Sequence, residues 1–119
     1  MKKLLVVDDD AMFRHVMKHH LSQLGFTAIE NDSALHLYQQ IREESPAACF
    51  IDIVMEGKDG IETILELKEK SQCPKLIAVS SNVMYLDWVS EFGVDAILIK
   101  PVSLQAVKQV LDKLEIHAV

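Results

Sequence analysis

The sequence predicts a doubly wound α/β fold, a five-stranded parallel sheet with helices on both faces. Four apolar runs of strand length lack alternation: Leu4 to Val7, Ala48 to Ile51, Leu76 to Val79 and Ala96 to Ile99. Such runs are expected of strands buried on both faces. Segments with helical spacing of apolar residues follow each strand. Strand then helix recurs five times, and right-handed crossovers turn that alternation into a parallel sheet covered on both sides.

Leu4 to Val7 opens the chain, and a helix follows with Phe13, Val16, Met17, Leu21 and Leu24 at helical spacing. Asp10, just before Met12, reads as its capping acid. Gly25 stands where that helix should stop, because glycine tolerates left-handed backbone. Phe26 to Glu30 alternates and therefore reads as an edge strand. Leu35, Tyr38 and Ile41 mark the second helix, with Asp32 as its expected N-cap. After Ala48 to Ile51 comes a third helix with Ile61, Ile64 and Leu65. Leu76 to Val79 leads to a short fourth helix with Val83, Leu86 and Val89, on which Trp88 is expected to pack, and Gly93 ends it. Ala96 to Ile99 is the last strand. Ser103 is the expected N-cap of a final helix carrying Leu104, Val107, Leu111 and Leu114.

The 119 residues, half hydrophobic and a quarter charged, fit one compact domain spanning 1–119. A formal charge of −6 argues against direct nucleic-acid binding, which needs clustered Lys and Arg. No apolar run approaches the roughly 18 residues that span a bilayer, and Met1-Lys2-Lys3 does not open a secretory signal. Cys49 and Cys73 form neither a disulfide framework nor a metal-ligand spacing. A cytoplasmic location is the plain expectation. His15 and His19 have the i, i+4 spacing of metal ligands, but no acidic third ligand shares their face, so with His20 they read as a solvated helix surface. The five methionines read as core filler.

In a doubly wound sheet the ligand crevice lies beyond the carboxyl ends of the strands. The first strand runs into Asp8, Asp9 and Asp10, and the third into Asp52. Two carboxylates about 5 Å apart repel by roughly 3 kcal/mol at an effective dielectric of about 20. A divalent cation offsets that repulsion. Mg²⁺ takes oxygen ligands and commonly combines one or two carboxylates with phosphate oxygens. The fourth strand ends at Ser80 and Ser81, and the fifth at Lys100-Pro101. Lysine suits one phosphoryl oxygen and a serine hydroxyl can donate to another. An aspartate held against metal beside a lysine can attack an activated phosphoryl donor and form an acyl phosphate.

Five stretches carry a resemblance to the receiver domains of bacterial two-component response regulators, along essentially the whole chain. They are Leu5-Val6-Val7-Asp8-Asp9, Phe50-Ile51-Asp52-Ile53-Val54-Met55, Asp59-Gly60, Ala78-Val79-Ser80-Ser81 and Ile99-Lys100-Pro101. The resemblance implies a flavodoxin-like (βα)5 fold with strand order 2-1-3-4-5. It implies that Asp52 accepts a phosphoryl group, and that Mg²⁺ (or Mn²⁺) is held by Asp9, Asp52 and the backbone carbonyl of Val54, with Asp8 acting largely through water. Ser80 takes the place of the family's switch threonine or serine, and Lys100 pairs with the phosphoryl group. Ser81 is small enough to leave phosphate access, Val54 and Asn82 border the site and tune water entry, and the Lys100-Pro101 bond is expected to be cis. Two positions depart from the pattern. The usual proline after the methionine is Glu56, opening the unusual loop Glu56-Gly57-Lys58. Ile97 stands where many relatives carry an aromatic residue that swings on activation, which argues against that swing here.

The implied partners are a sensor histidine kinase or histidine phosphotransfer protein and a downstream protein of unknown identity. A phosphorylation-dependent homodimer is compatible with the resemblance. Such a chain modifies itself and is not a turnover enzyme. Rival readings are an aspartyl-phosphate phosphatase, a flavodoxin-like cofactor binder and a degenerate receiver that works as a phosphorylation-independent interaction module. The phosphatase needs a second acid two residues after the nucleophile, where this sequence has Val54. The cofactor binder needs a Ser/Thr/Gly-rich phosphate loop where this sequence has acids. Retention of all the acids, Ser80 and Lys100 argues against the degenerate module. The sequence is equally compatible with a stand-alone receiver and with one trimmed from a larger protein.

Overall fold

The computed structural model describes residues 1–55 and 60–118. The loop readings at Glu56, Gly57, Lys58 and Asp59 lie outside the described residues. The elements alternate as β1 (Lys3–Val7), α1 (Ala11–Gln23), β2 (Thr27–Asn31), α2 (Leu37–Glu44), β3 (Ala48–Asp52), α3 (Gly60–Lys68), β4 (Lys75–Ser80), α4 (Val83–Val89), β5 (Ala96–Ile99) and α5 (Leu104–Lys113), with a 3-10 turn at Ser90–Phe92 after α4. All neighbouring strands pair in parallel, in the order β2-β1-β3-β4-β5. This is the five-stranded flavodoxin-like arrangement that the resemblance implied.

Side chains of alternate parity along each strand enter opposite layers. Leu5, Val7, Cys49, Ile51, Leu76 and Ala78 pack with the buried residues of α2, α3 and α4. Leu4, Val6, Phe50, Ile77, Val79 and Leu98 pack with α1 and α5. β1 and β3 are central, and Leu4 to Val7 and Ala48 to Ile51 are wholly buried. Burial also raises the Cys49 thiol above its ordinary range, so it stays protonated in the core.

Several sequence expectations need correction. Ala96 to Ile99 is a sheet edge rather than a strand covered on both faces, and its burial alternates, with Ile97 and Ile99 open to solvent. The apolar run had suggested burial because each of those side chains is hydrophobic whether or not a helix covers it. The second helix starts at Leu37, and Leu35 is 67% exposed. Asp32 does not cap it: the residue before it is His36 in left-handed backbone, with no side-chain cap. The polar turn there belongs to Asn31, whose Oδ1 accepts from the amides of Ser33 (3.0 Å) and Ala34 (2.7 Å). Such a turn satisfies the chain before a helix can begin. Val16, Leu65 and Val83 lie on exposed helix faces, and Trp88 is 52% exposed, touching Phe92 edge to face at 5.6 Å between centroids.

Other termini behave as read. Asp10 and Ser103 cap α1 and α5, accepting from the amides of Met12 and Ala106. Gly25 and Gly93 carry positive φ of 92° and 86°. Among the described residues, no helix is long and apolar enough to cross a membrane.

Candidate functional site

Hydrogen bonds of the sheet continue past the strand ends and fix the backbone on which the polar side chains stand. The amide of Asp8 donates to the carbonyl of Asn31 at 3.0 Å, that of Ile53 to Val79 at 3.1 Å, and that of Lys100 to Ser80 at 2.9 Å. With Val7 paired opposite Ile51 between β1 and β3, the carboxyl ends of β1, β3, β4 and β5 are in register before any side chain is considered. Gly60 closes the same edge. A Cβ there would lie 2.4 Å from the Asp52 carbonyl oxygen and 2.4 Å from the Ile53 Cα, so only glycine lets the start of α3 approach β3 this closely.

On this frame Asp8, Asp9 and Asp52 each present a carboxylate oxygen, and the three oxygens lie within 4.8 Å of one another. Asp8 and Asp52 are buried, while Asp9 faces solvent. Lys100 Nζ reaches between the buried pair, 2.8 Å from Asp8 Oδ2 and 3.2 Å from Asp52 Oδ2. The other oxygens are held by backbone: Asp10 donates to Asp8 Oδ1 at 2.8 Å and Val54 to Asp52 Oδ1 at 3.0 Å. Ser80 is buried at the end of β4, and its Oγ accepts from the amide of Asn82 at 3.0 Å. Ser81 and Asn82 are exposed, and Asn82 caps α4 by accepting from Met84. The side chain of Val54 is exposed, and the Lys100-Pro101 bond is cis.

The electrostatics follow from this packing. Burial raises the Asp8 carboxyl above its ordinary value, outweighing the opposing pull of Lys100 and the Asp10 amide, and the charge of Asp52 adds to the rise. Burial pulls the Lys100 ammonium down, but Asp8 and Asp52 together more than offset it, so lysine holds its proton more tightly than usual. Among the described residues Lys100 is shared between two buried carboxylates, Asp8 and Asp52, and a buried carboxylate without full compensation is costly. The Asp8 Oδ2 atom makes the point: it faces the ammonium at 2.8 Å but accepts no well-directed hydrogen bond. Three hard oxygen donors within 4.8 Å of one another, two of them on buried residues, fit a divalent cation of the Mg²⁺ type.

Asp52, shielded as it is, keeps an opening to solvent at 6% exposure, and Lys100 points to it and not to another rim. Four residues escaped a specific reading from sequence. Arg14 braces the site, donating from Nη1 to the Asp8 carbonyl at 2.7 Å and pairing through Nε with Glu30 at 3.2 Å. Its position one turn after the acids was the available signal. Phe13 places its ring 4.4 Å from Lys100 Nζ. Gly60 was noted as a motif residue without the steric reason. His20, read as solvated, is half-buried, with Nε2 3.1 Å from the Val102 carbonyl.

Comparison with known proteins agrees with this architecture. The family model described as the response regulator receiver domain matches residues 4–112. A probable transcriptional regulator, ycf27, of Guillardia theta is 32% identical over 107 residues, covering 86% of this chain and 41% of the relative. The chain thus spans about two fifths of the length of that relative. Among solved structures, a CheY-like response regulator receiver domain from Methylobacillus flagellatus superposes with a TM-score of 0.86 at 23% identity, over 95% of this chain and 98% of the other. The receiver domain of a sensor histidine kinase from Pseudomonas aeruginosa, solved with a magnesium ion in its active-site cleft, gives 0.84 at 18% identity, over 94% and 95%. The chain belongs to the response regulator receiver domain family.

Proposed function

We propose that residues 1–119 form a phosphorylation switch in which Asp52 accepts a phosphoryl group from a phosphohistidine on a sensor kinase or phosphotransfer protein. The observation that carries this reading is the meeting of Asp8, Asp9, Asp52 and Lys100 at one sheet edge, with Lys100 Nζ within 3.2 Å of Asp52. Asp9, Asp52 and the carbonyl of Val54 would hold Mg²⁺ or Mn²⁺ directly, and Asp8 through water. Bound there, the cation supplies charge neutralisation and orientation of phosphoryl oxygens.

The rest is chemistry of this chain. A carboxylate oxygen of Asp52 attacks phosphorus, forming the P–O bond as the P–N bond to the donor imidazole breaks, and the departing imidazole takes a proton from solvent. Lys100 moves its charge from the carboxylates to the new phosphoryl oxygens. Water later attacks phosphorus, returning the Asp52 carboxylate and inorganic phosphate, so the protein modifies and restores itself without turning over a substrate. Val54 and Asn82 border the site and govern how water enters.

Ser80 connects this event to a surface. Its Oγ now accepts from the Asn82 amide at 3.0 Å, and Asn82 in turn caps α4. Turning the hydroxyl toward a phosphoryl oxygen breaks the first bond and biases the start of α4. Ile97 and Ile99 flank that helix on β5, and a downstream protein, or a second copy in a phosphorylation-dependent homodimer, reads the altered surface. With Ile97 in place of an aromatic, the signal runs through α4 and not through a swinging ring.

Incubation with a small acyl-phosphate donor and Mg²⁺ tests the reading by intact mass. Wild type is expected to gain one phosphoryl group and Asp52→Asn none. Equal modification of both proteins, or of neither, overturns it, and the second result favours a phosphorylation-independent interaction module.

A further inference from the structure

Among the described residues Lys100 meets an aromatic ring as well as two acids. Its Nζ lies 4.4 Å from the centroid of the Phe13 ring, over the ring face, while Asp8 Oδ2 and Asp52 Oδ2 stand at 2.8 and 3.2 Å. An ammonium in this position is attracted to the negative face of the ring, and more so when partly withdrawn from water. The Lys100 side chain is 20% exposed.

Phe13 is itself held in place. It packs against the core layer that includes Met17, Val102 and Val107. About two turns further along α1, His20 Nε2 lies 3.1 Å from the Val102 carbonyl, two residues beyond Lys100. The ring and the lysine are therefore tied to the same loop from two points.

We infer that Phe13 is a positioning residue for Lys100: its ring face holds the ammonium at the mouth of the acid pair. The inference rests on the proposed phosphoacceptor reading. Its physical logic is a difference between the lysine's partners. The carboxylates must give their charge to a cation when one binds, and that cation repels a nearby ammonium. An aromatic face competes for no metal and carries no net charge to be drawn away. It keeps the lysine beside Asp52 when the attraction of the acids is weakened, ready for a developing phosphoryl charge.

The test has two arms. In the first, nuclear magnetic resonance of the full chain follows the Lys100 side-chain methylene protons without and with Mg²⁺. Ring-current upfield shifts are expected in both states and are lost in Phe13→Leu; normal positions in wild type, or shifts that vanish on adding Mg²⁺, overturn the proposal.

In the second arm, Asp52 phosphorylation by a small acyl-phosphate donor is timed in Phe13→Leu, in Phe13→Trp and with mono-, di- and trifluorinated phenylalanine at position 13. The fluorinated rings keep the packing shape but progressively weaken the negative face. Loss of about three- to tenfold is expected in Phe13→Leu, with rescue by Phe13→Trp and a stepwise decline along the fluorinated series. Equal rates across that series reduce Phe13 to packing and overturn the proposal. If wild type takes no phosphoryl group, the functional reading fails, while the resonance arm still decides whether the ring holds the lysine.

Discussion

Two flanks of one sheet are built to opposite standards. At the ends of β1 and β3 every strand residue from Leu4 to Val7 and Ala48 to Ile51 is wholly buried, and the acids stand directly on that packing. Coverage is partial along α4 and alternates along β5: Leu86 and Val89 are buried, but Met84 is 80% exposed and Val83, Trp88 and Ile99 are about half exposed. Moving a side chain on the first flank means opening a close-packed core. Moving α4 gives up little burial, and elements with few buried apolar contacts are those that open or shift most readily. The three clustered acids stand on the first flank, and the second, apart from Lys100 at the end of β5, is free to change its surface.

Phe50→Ala, two residues before Asp52, is the strongest way to break this contrast. Its ring is fully buried between α1 and α5, so truncation should cost about 3–5 kcal/mol, measured by urea denaturation. A loss below about 1 kcal/mol would mean that the acid-bearing strands are not the rigid part. Gly60→Ala comes next. The added Cβ collides with backbone of Asp52 and Ile53, and overpacking of this kind costs about 1–3 kcal/mol. Slower phosphorylation of Asp52 should accompany it, because the strand that carries the carboxylate has to move. An unchanged urea midpoint and rate would remove Gly60 from the site's frame.

Sequence revealed the first flank far better than the second, and for a physical reason. Buried parallel strands and the acids and lysine at their ends are coded by residue type, since charge at the end of an apolar run is visible without knowing what lies beside it. The partners of those groups are coded by geometry. Phe13 had the spacing of any core residue of α1, and nothing in its identity said that its face would meet an ammonium from a residue 87 positions away. Ala96 to Ile99 is as apolar as a central strand, and its exposure follows from a short α4 that leaves Ile97 and Ile99 uncovered. The start of α2 was misplaced because Asn31 and Asp32 are both turn formers, and only the hydrogen bonds show that Asn31 takes the amides.

A smaller effect of opposite sign sharpens the electrostatic side of the comparison. In the metal-free protein Asp8→Asn should raise stability, on the order of 1 kcal/mol, since Lys100 retains Asp52 while one buried charge disappears. The pH dependence carries the same sign. The Asp8 carboxyl titrates above its ordinary 3.8 in the fold, so the folded protein holds more protons than the unfolded chain as pH rises from that value through the raised one. Stability contributed by this group is full below the window and is lost across it. Comparing urea midpoints of wild type and Asp8→Asn across that range should show a gap that opens as pH rises. A gap that closes instead would mean that Lys100 fully compensates the acids.

The smallest expected change lies on the other flank. Trp88 is the largest side chain on α4, yet half of it meets solvent and its ring contact is an edge against Phe92. Trp88→Gln should therefore alter stability by no more than about 0.5 kcal/mol and leave phosphorylation of Asp52 at the wild-type rate, because no core layer and no site atom depends on the indole. The same exposure makes the native indole a reporter. If phosphorylation displaces the start of α4 through Ser80 and Asn82, Trp88 emission should change on adding phosphodonor and Mg²⁺, and stay constant in Asp52→Asn. A large stability loss in Trp88→Gln would show that α4 is anchored by its outer face, and a surface anchored that way could not be the pliant half of the molecule.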